Sequence, residues 1–264
     1  MEFREILYEK DAGVARVIIN RPQRYNAFTA LTLEEMFLAF RDAWADKEVG
    51  VVVLTGSGDK AFCTGGDQKT KDDEGYGRGE AKFELLDVYG QVLYIIRSIP
   101  KPVIAAVNGY AIGAGHVLHI VCDLTIASDN ARFGQAGPRV GSFDAGFGTI
   151  FLARIVGEKK AREIWYMCRQ YSAMEALEMG LVNKVVPREE LDREVETWAR
   201  ELLQRAPTSL ACLKASFNAD TDHAAGINAM GRHAVSLYYH TEESHEGVQA
   251  FLDKRPPDFA RFRK

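Results

Sequence analysis

The sequence predicts an α/β fold with a largely parallel sheet, and three observations support this. β-branched apolar runs recur in the first half of the chain, helical patterns separate them, and the 264 residues are 47% hydrophobic. Strands that alternate with helices are typical of parallel sheets, because a crossover helix returns the chain to the same edge. In chain order, the predicted strands are 14–19, 51–54, 103–107 and 124–126, and a helical pattern over 33–45 separates the first two.

From about Leu152 onward the pattern becomes mainly helical. Pro187 and Pro207 mark two helix starts, because proline is favoured in the first turn of a helix. We therefore divide the chain into an α/β core of residues 1–200, expected to hold the active site, and a helical C-terminal region of residues 201–264. The predicted helices of the second half are 158–169, 173–179, 189–205, 207–218 and one near 241–252.

Composition excludes several functional classes. The net charge is −4 with both signs interspersed, which leaves no electrostatic footprint for nucleic acid. The four cysteines stand singly, so neither a zinc site nor a disulfide framework is predicted. No apolar run approaches the ~18 residues of a membrane span, and the N-terminus lacks the apolar segment of a signal peptide. We expect a cytoplasmic protein without metal, nucleic-acid or membrane partners.

Two loops of small residues carry the strongest chemical signal. They are 61–68, Ala-Phe-Cys-Thr-Gly-Gly-Asp-Gln, and 108–115, Asn-Gly-Tyr-Ala-Ile-Gly-Ala-Gly. Each follows a β-branched run and lets backbone N–H groups approach a ligand. The second loop also leads into an apparent helix start, whose dipole favours negative charge. Simple glycine turns account for either loop alone, but the pair favours an oxyanion hole, which stabilises a carbonyl as it becomes an enolate.

On these two loops, the chain resembles the crotonase (enoyl-CoA hydratase/isomerase) superfamily from about residue 3 to residue 262. The resemblance implies a ClpP-like spiral of ββα units, an acyl-CoA substrate and no tightly bound cofactor. It further implies a homotrimer or a homohexamer built as a dimer of trimers, in which the helical C-terminal region covers a neighbour's active site. The amides of Gly66 and Ala114 would hold the thioester oxygen. The family commonly has glycine at position 114, and alanine still offers its N–H there if φ is below zero.

The residues that hydratases of this family use are missing. Their two glutamates match Val117 and Gly137 here, and a valine cannot move a proton, so ordinary hydratase activity is not expected. In their place stand Ser142 and Asp144, two residues apart, which can face the same side of an extended segment. A Ser-x-Asp between glycines is ordinarily a turn or a cap. The family resemblance favours a proton-transfer role instead.

Segments 140–146 and 157–171 resemble one branch of the family, the 1,4-dihydroxy-2-naphthoyl-CoA (naphthoate) synthases of menaquinone biosynthesis. These enzymes close a ring by Dieckmann-type condensation of o-succinylbenzoyl-CoA. The resemblance implies that Tyr76 and Tyr239, the latter from a neighbouring subunit, complete the proton handling. Tyr76 lies in a charged, glycine-rich loop over 69–80, which is either a mobile lid or a disordered surface loop.

The same branch implies binding residues. Lys69 and Lys71 would hold the free carboxylate of the substrate, while Phe251 and Lys254 would contact the coenzyme A nucleotide. One form of the synthase uses bicarbonate as its base, and the pocket for that anion matches Gln135, Gly137 and Trp165, with Gly137 leaving a void for it. The plain alternative is that Gln135 and Trp165 are satisfied polar and core residues. The full implied set for substrate and coenzyme A is Asp67, Gln68, Lys69, Lys71, Phe251 and Lys254.

A second branch competes with the first, namely the 2-ketocyclohexanecarboxyl-CoA hydrolases. They open a ring by water addition and C–C cleavage through the same thioester enolate, so one site could run either reaction. Segments 225–231 and 237–244 favour the hydrolase, whereas 143–146, 217–222 and the two lid lysines favour the synthase. We favour the synthase. A non-catalytic crotonase-fold binding protein is the third alternative.

Overall fold

A computed structural model describes residues 2–72 and 75–263 of the chain. Short 3-10 turns lie at Pro22–Arg24, Gln68–Thr70, Gly137–Arg139, Arg188–Glu190 and Ala260–Phe262. The strands are β1 (Ile6–Asp11), β2 (Val14–Ile19), β3 (Val51–Gly56), β4 (Ala61–Cys63), β5 (Lys71–Asp72), β6 (Gly75–Tyr76), β7 (Val103–Val107), β8 (Tyr110–Ile112), β9 (Leu124–Ser128), β10 (Arg132–Gly134), β11 (Gln170–Ser172) and β12 (Lys184–Val186). The helices are α1 (Ala30–Ala45), α2 (Leu85–Ser98), α3 (Ala114–Ile120), α4 (Phe147–Val156), α5 (Glu158–Met167), α6 (Ala173–Glu178), α7 (Leu191–Leu203), α8 (Pro207–Ala219), α9 (Ala224–Tyr239) and α10 (Glu242–Leu252).

Two sheets organise the core, and the predicted α/β class is confirmed. The larger sheet has the order β1-β2-β3-β7-β9-β12, in which β1 is antiparallel to β2 and the remaining neighbours are parallel. The smaller sheet has the order β11-β10-β8-β4, with β10, β8 and β4 parallel. The short strands β5 and β6 pair separately.

The central strands of the larger sheet are buried on both faces, as expected for parallel strands covered by helices. Val52 and Leu54 of β3 face the main core with α1 and α2, while Val51 and Val53 face a second cluster. Helix α7 covers that second cluster. The β-branched runs seen in the sequence are therefore strands that pack on two sides, which explains why they lack an alternating polar pattern.

Helix α9 is the main element that the sequence did not predict. It contains Gly226 and Gly231, which lower helix propensity, and its N-cap residue His223 makes no side-chain capping bond. Its buried positions, which include Asn228 and Val235, instead pack against α2 and α4. Tertiary packing therefore outweighs weak local signals here.

The helical C-terminal region packs on its own core. Helix α9 contacts α2 and α4 of the same chain, and Ala224 belongs to the main hydrophobic cluster. Residues 201–264 are thus continuous with the core within one chain, and their contact with neighbouring subunits stays a prediction. Within the described ranges, no helix is both long and apolar enough to cross a membrane.

Candidate active site

A pocket lies where the two loops of small residues meet. Gly65 has φ +84°, and a Cβ at that position would come within 3.2 Å of the Ala114 amide nitrogen. Ala111 of β8 pairs with Cys63 of β4, which brings the ends of these short strands together. Residues 135–137, 142–145 and the helices α2 and α9 complete the walls.

Two backbone amides in this pocket are free to bind a ligand. Phe28 N donates to Gly65 O at 2.8 Å and Asp67 N donates to Phe28 O at 2.9 Å, so the pairing leaves out the intervening Gly66 N–H. Ala114 is the first residue of α3, where amides have no intrahelical acceptor. It does not have a positive φ, as required for alanine at this position. Within the described part of the chain, neither amide donates to another residue.

Asp67 supports this loop from behind. It is buried, does not line the pocket, and forms ion pairs with Arg24 and with Arg21, the latter at 3.1 Å. Burial raises the pKa of Asp67, but the Arg24 hydrogen bond and the two guanidinium charges lower it below its ordinary value. The sequence analysis expected Asp67 to bind the substrate, but the structure places it outside the pocket lining. Its ion pairs with Arg21 and Arg24 instead hold the loop that contains Gly66 in place.

Tyr76 and Gln68 cover the same loop on the pocket side. A Cβ on Gly66 would lie 2.7 Å from Cζ of Tyr76 and 2.8 Å from its hydroxyl oxygen, so only glycine leaves room for this ring. Gln68 Nε2 donates to the Tyr76 hydroxyl. Burial raises the pKa of Tyr76 well above its ordinary value, which keeps the phenol protonated at neutral pH.

Four side chains form two hydrogen-bonded pairs in the pocket. Ser142 Oγ lies 2.9 Å from the Tyr239 hydroxyl, and the Tyr89 hydroxyl donates to Asp144 Oδ2 at 3.3 Å. Gly146 N donates to the other oxygen of Asp144 at 3.0 Å. Burial raises the pKa of Asp144 despite these bonds, and it raises the pKa of Tyr239 to about 12. A carboxyl group and three hydroxyls are thus available for proton transfer.

Tyr239 reaches this pocket from the same chain. It is the last residue of α9, whose buried face lines the site. The expectation that Tyr239 comes from a neighbouring subunit is therefore wrong for this structure. The physical reason is the packing of α9 against α2 and α4, which carries its C-terminal end to Ser142.

The two lid lysines lie outside the pocket lining. Lys69 is exposed, whereas Lys71 is buried with its Nζ 3.4 Å from Gly141 O and 3.8 Å above the Tyr239 ring. Burial lowers the pKa of Lys71 to about 8. The structure therefore does not bring either lysine to a position where it would hold a substrate carboxylate in the pocket. Lys71 instead supports the outer face of the Tyr239 ring.

The residues expected at the coenzyme A nucleotide are also outside the pocket. Phe251 is 53% exposed on α10, and Lys254 is an exposed residue just beyond that helix. Their contact with a nucleotide stays a prediction. Residues 69–72 and 75–80 of the predicted lid include the β5–β6 pair and Tyr76, whereas residues 73 and 74 lie outside the described residues.

The predicted bicarbonate residues all line the pocket. Gln135 is only 2% exposed, and neither atom of its side-chain amide has a partner within the described structure. Trp165 Nε1 donates to Gly148 O at a long 3.4 Å. We expected the missing side chain of Gly137 to leave a void. A Cβ there would lie 2.8 Å from Ser142 O, so no open space lies in the direction of a side chain, and the expectation is wrong. The unpartnered amide of Gln135 is the feature that fits a small polar ligand.

Sequence reasoning missed several residues of the pocket, and Tyr89 and Arg232 are the two among them that bring a hydroxyl or a charge. Tyr89 stacks on Phe28 with the ring centroids 5.7 Å apart and points its hydroxyl to Asp144. Arg232 follows Gly231 on α9, next to the buried face of that helix. The only sequence signal for Arg232 is its position beside the buried face of α9. That signal could not be used, because the sequence analysis did not predict this helix.

The sequence model of one family, Enoyl-CoA hydratase/isomerase, matches residues 9–262. The chain belongs to this family. As a crotonase-family protein it is an acyl-CoA-processing enzyme, which agrees with the two free amides at the meeting point of the loops.

Solved structures of the enoyl-CoA hydratase/isomerase family share the fold over nearly the whole chain. An enoyl-CoA hydratase from Mycobacterium avium subsp. paratuberculosis K-10 is 28% identical, with a TM-score of 0.85 and coverage of 98% of this chain and 99% of that chain. An enoyl-CoA hydratase/isomerase from Pseudoalteromonas atlantica T6c is 25% identical, with a TM-score of 0.87 and coverage of 97% and 100%. An enoyl-CoA hydratase from Bacillus anthracis is 29% identical, with a TM-score of 0.75 and coverage of 96% and 98%.

Within this crotonase family, the present chain carries no acid at the two positions that the sequence analysis matched to the hydratase glutamates. Val117 is fully buried. Its side chain packs around Gly148 together with those of Asp144 and Trp165, because a Cβ on Gly148 would lie within 3.1 Å of all three. Gly137 lines the pocket without a side chain. The carboxyl group of the pocket is instead that of Asp144.

Proposed function

We propose that this protein closes a ring by Dieckmann-type condensation of o-succinylbenzoyl-CoA to 1,4-dihydroxy-2-naphthoyl-CoA. The observation that carries the proposal is the pairing of Ser142 with Tyr239 and of Asp144 with Tyr89 beside the free amides of Gly66 and Ala114. This set suits an enolate and a second carbonyl better than it suits hydration, because positions 117 and 137 supply no acid.

The proposed reaction has two parts. A base removes the α-proton of the thioester, and the amides of Gly66 and Ala114 stabilise the negative charge on the enolate oxygen. The enolate carbon then attacks the aromatic carboxyl carbon, so one C–C bond forms and one molecule of water leaves. Asp144, whose pKa burial raises, and the Ser142–Tyr239 pair are suited to carry protons to and from the second carbonyl.

We further propose that Gln135 helps to bind bicarbonate. When bound, bicarbonate would supply the base that removes the α-proton. Gln135 fits this role because both atoms of its buried side-chain amide lack partners in the part of the chain that the structure describes. Gly137 and Trp165 line the same part of the pocket, although the Trp165 N–H already makes a long hydrogen bond to Gly148.

The deciding experiment follows the purified protein with o-succinylbenzoyl-CoA by mass spectrometry, with and without bicarbonate. Loss of one water from the thioester supports the condensation, and acceleration by bicarbonate supports the role of Gln135. The Gln135→Leu variant should lose that acceleration while it still binds the thioester. An unchanged thioester under both conditions would contradict the condensation.

A second candidate is hydrolytic ring opening of 2-ketocyclohexanecarboxyl-CoA. Segment 225–231, whose sequence resembles that of the hydrolases, favours this reaction. It lies on α9, which forms a wall of the pocket and also carries Tyr239. Gain of one water by this substrate, with no reaction of o-succinylbenzoyl-CoA, would establish the hydrolase.

Hydration and simple binding are the remaining alternatives. Two of the similar structures are those of enoyl-CoA hydratases, so crotonyl-CoA belongs in the same experiment. We expect no water addition, because Val117 and Gly137 cannot transfer protons. Tight binding of every thioester without turnover would instead indicate a non-catalytic binding protein.

We also propose a homotrimer or a dimer of trimers in the cytoplasm. Support comes from the family resemblance and from the exposed apolar side chains of α9, which include Ile227, Met230 and Leu237. Sedimentation equilibrium separates three subunits from six, and a monomer would contradict the proposal.

A further inference from the structure

Of the described residues that line the pocket, only Asp144 and Arg232 are charged. Arg232 lies on α9 and is partly buried, and its Nε is sealed from solvent without a hydrogen-bond partner. No carboxylate in the described part of the chain lies within 4.0 Å of it as an ion pair. An N–H group that has neither water nor an acceptor costs free energy, so a ligand anion that reaches the Nε of Arg232 would supply the missing partner.

The fold makes room for this guanidinium. A Cβ on Gly90 of α2 would lie 2.3 Å from Nη1 of Arg232 and 2.4 Å from its Cζ, so the glycine leaves the space that the charged group occupies. Glu84 and Asp87 line the cleft next to the pocket together with Arg232, yet neither pairs with it. The positive charge also acts on Asp144, whose pKa it lowers against the larger effect of burial.

We propose that Arg232 binds a carboxylate at the far end of the acyl chain, so that the site takes coenzyme A thioesters of dicarboxylic acids. The planar fork of a guanidinium matches a carboxylate with two parallel hydrogen bonds. The lid lysines, expected to hold such a group, do not line the pocket, which leaves Arg232 as the cation available there.

This inference rests on the proposed function and assigns a binding residue to the carboxylate that the reaction involves. In ring closure, the carboxylate is the group that the enolate carbon attacks, and pairing with Arg232 disperses the negative charge that would repel the enolate. In ring opening, the carboxylate is what remains after water adds to the ketone and the C–C bond breaks. Both reactions place it at the seventh carbon of the acyl chain, counted from the thioester.

Calorimetric binding of pimeloyl-CoA and heptanoyl-CoA tests the inference, because these seven-carbon thioesters differ only in the terminal carboxylate. We expect the wild-type protein to prefer pimeloyl-CoA. Arg232→Gln should weaken pimeloyl-CoA about tenfold to a hundredfold, the usual range for a lost hydrogen bond to a charged group, and leave heptanoyl-CoA within about twofold. Arg232→Lys should restore part of the preference, and Arg154→Gln, an arginine paired with Asp220 on the surface, should retain all of it.

Gly90→Ala provides a second variant that keeps the charge. The new methyl group should push the flexible guanidinium out of its place without weakening α2, since alanine favours helix more than glycine does. We expect the same loss of preference for pimeloyl-CoA, with an unchanged thermal midpoint. This variant and Arg232→Lys decide the question if Arg232→Gln does not fold.

The outcomes separate this inference from the proposed function. Equal affinity of the wild-type protein for both thioesters, or an equal loss of both in Arg232→Gln, would overturn the role of Arg232 and leave an acyl-CoA site standing. Failure of the wild-type protein to bind either thioester would overturn the proposed function as well. A preference for pimeloyl-CoA that Arg232→Gln and Gly90→Ala both abolish would support the assignment even if ring closure is not the reaction.

Discussion

At the scale of single residues, Asp144 shows how burial can prepare a carboxyl group for proton transfer. Its two oxygens accept hydrogen bonds from Tyr89 and from the Gly146 amide, yet burial still raises its pKa. A carboxyl group with a raised pKa holds a proton more readily, which makes it a better base and acid near neutral pH.

Asp144→Asn is expected to lower kcat by about 10²–10⁴-fold, because it removes the proton-transfer group and keeps the shape of the side chain. Affinity for the thioester should change little. Turnover and calorimetric binding are measured on the same preparation, with Asp220→Asn as the control, since the Asp220 side chain is 73% exposed on the surface. Turnover within a few fold of the wild type would remove Asp144 from the mechanism.

Ala114→Pro is expected to lower kcat by about 10²–10³-fold, since proline lacks the N–H that would stabilise the enolate. Proline is well tolerated at the first position of a helix, so the fold should remain intact. The matched control is Glu158→Pro, at the first position of α5, where a glycine of positive φ also precedes the helix. Equal activity of the two variants would contradict the role of the Ala114 amide.

At the scale of elements, α3 joins the pocket to a buried histidine pair. Its N-terminus presents Ala114, while His116 and His119 are buried in the core with ring centroids 4.9 Å apart. Burial lowers the pKa of His116 to about 3 and the pKa of His119 well below its ordinary value. Both rings are therefore neutral in the folded protein at neutral pH.

The pKa of His116 predicts a loss of stability in acid. Because its folded pKa of about 3 lies below its ordinary value of 6.5, the unfolded state binds more protons between these two pH values. Stability is therefore full above the ordinary value and falls with decreasing pH below it, by about 1.4 kcal/mol per pH unit for one group. Urea unfolding of the wild type and of His116→Leu, compared between pH 7 and 5, measures this contribution.

The comparison of the two proteins isolates one histidine. Carboxyl groups whose pKa is raised by desolvation, such as Asp144 and Asp123, act in the opposite direction but are common to both proteins. We expect the unfolding free energy of the wild type to fall relative to His116→Leu by about 2 kcal/mol between pH 6.5 and 5. Two parallel pH profiles would show that His116 does not titrate on unfolding in this range.

At the scale of the whole molecule, an ion pair with a buried lysine joins the C-terminal helices to the core. Lys214 Nζ of α8 donates to Asp123 Oδ2 at 2.7 Å, to Ile96 O at 2.8 Å and to Lys101 O at 3.0 Å. Asp123 in turn accepts from Val103 N at the start of β7. One side chain thus connects α8, the end of α2 and the central sheet.

Lys214→Met is expected to lower the unfolding free energy by about 1–3 kcal/mol, because it removes the shared donor of the Ile96 and Lys101 carbonyls and of the Asp123 carboxylate. Unfolding should remain a single transition, since the C-terminal region shares the main core. Denaturant unfolding followed by circular dichroism and by tryptophan fluorescence measures both quantities. Breaking the exposed Arg154–Asp220 pair with Arg154→Gln should cost no more than about 1 kcal/mol, and two separate transitions would contradict a common core.

Much of the fold and part of the site follow from local sequence. The strands over 14–19 and 103–107 and the helix start at Pro207 agree with the structure, because buried β-branched runs and N-terminal prolines act locally. Helix α9 was not predicted, because its glycines and its uncapped N-terminus are weak helix signals. Tertiary packing stabilises this helix instead.

The sequence by itself determined the two loops of small residues, the absence of acids at 117 and 137, and the placing of Ser142 and Asp144 in one short segment. Each of these features depends only on residues close together in the sequence. Only the tertiary structure decided that Tyr239 meets Ser142 within one chain, that Lys71 lies behind the Tyr239 ring, and that Arg232 lines the pocket. The physical reason is that these contacts depend on how α9 packs across α2 and α4, between residues far apart in sequence whose burial no local pattern reports.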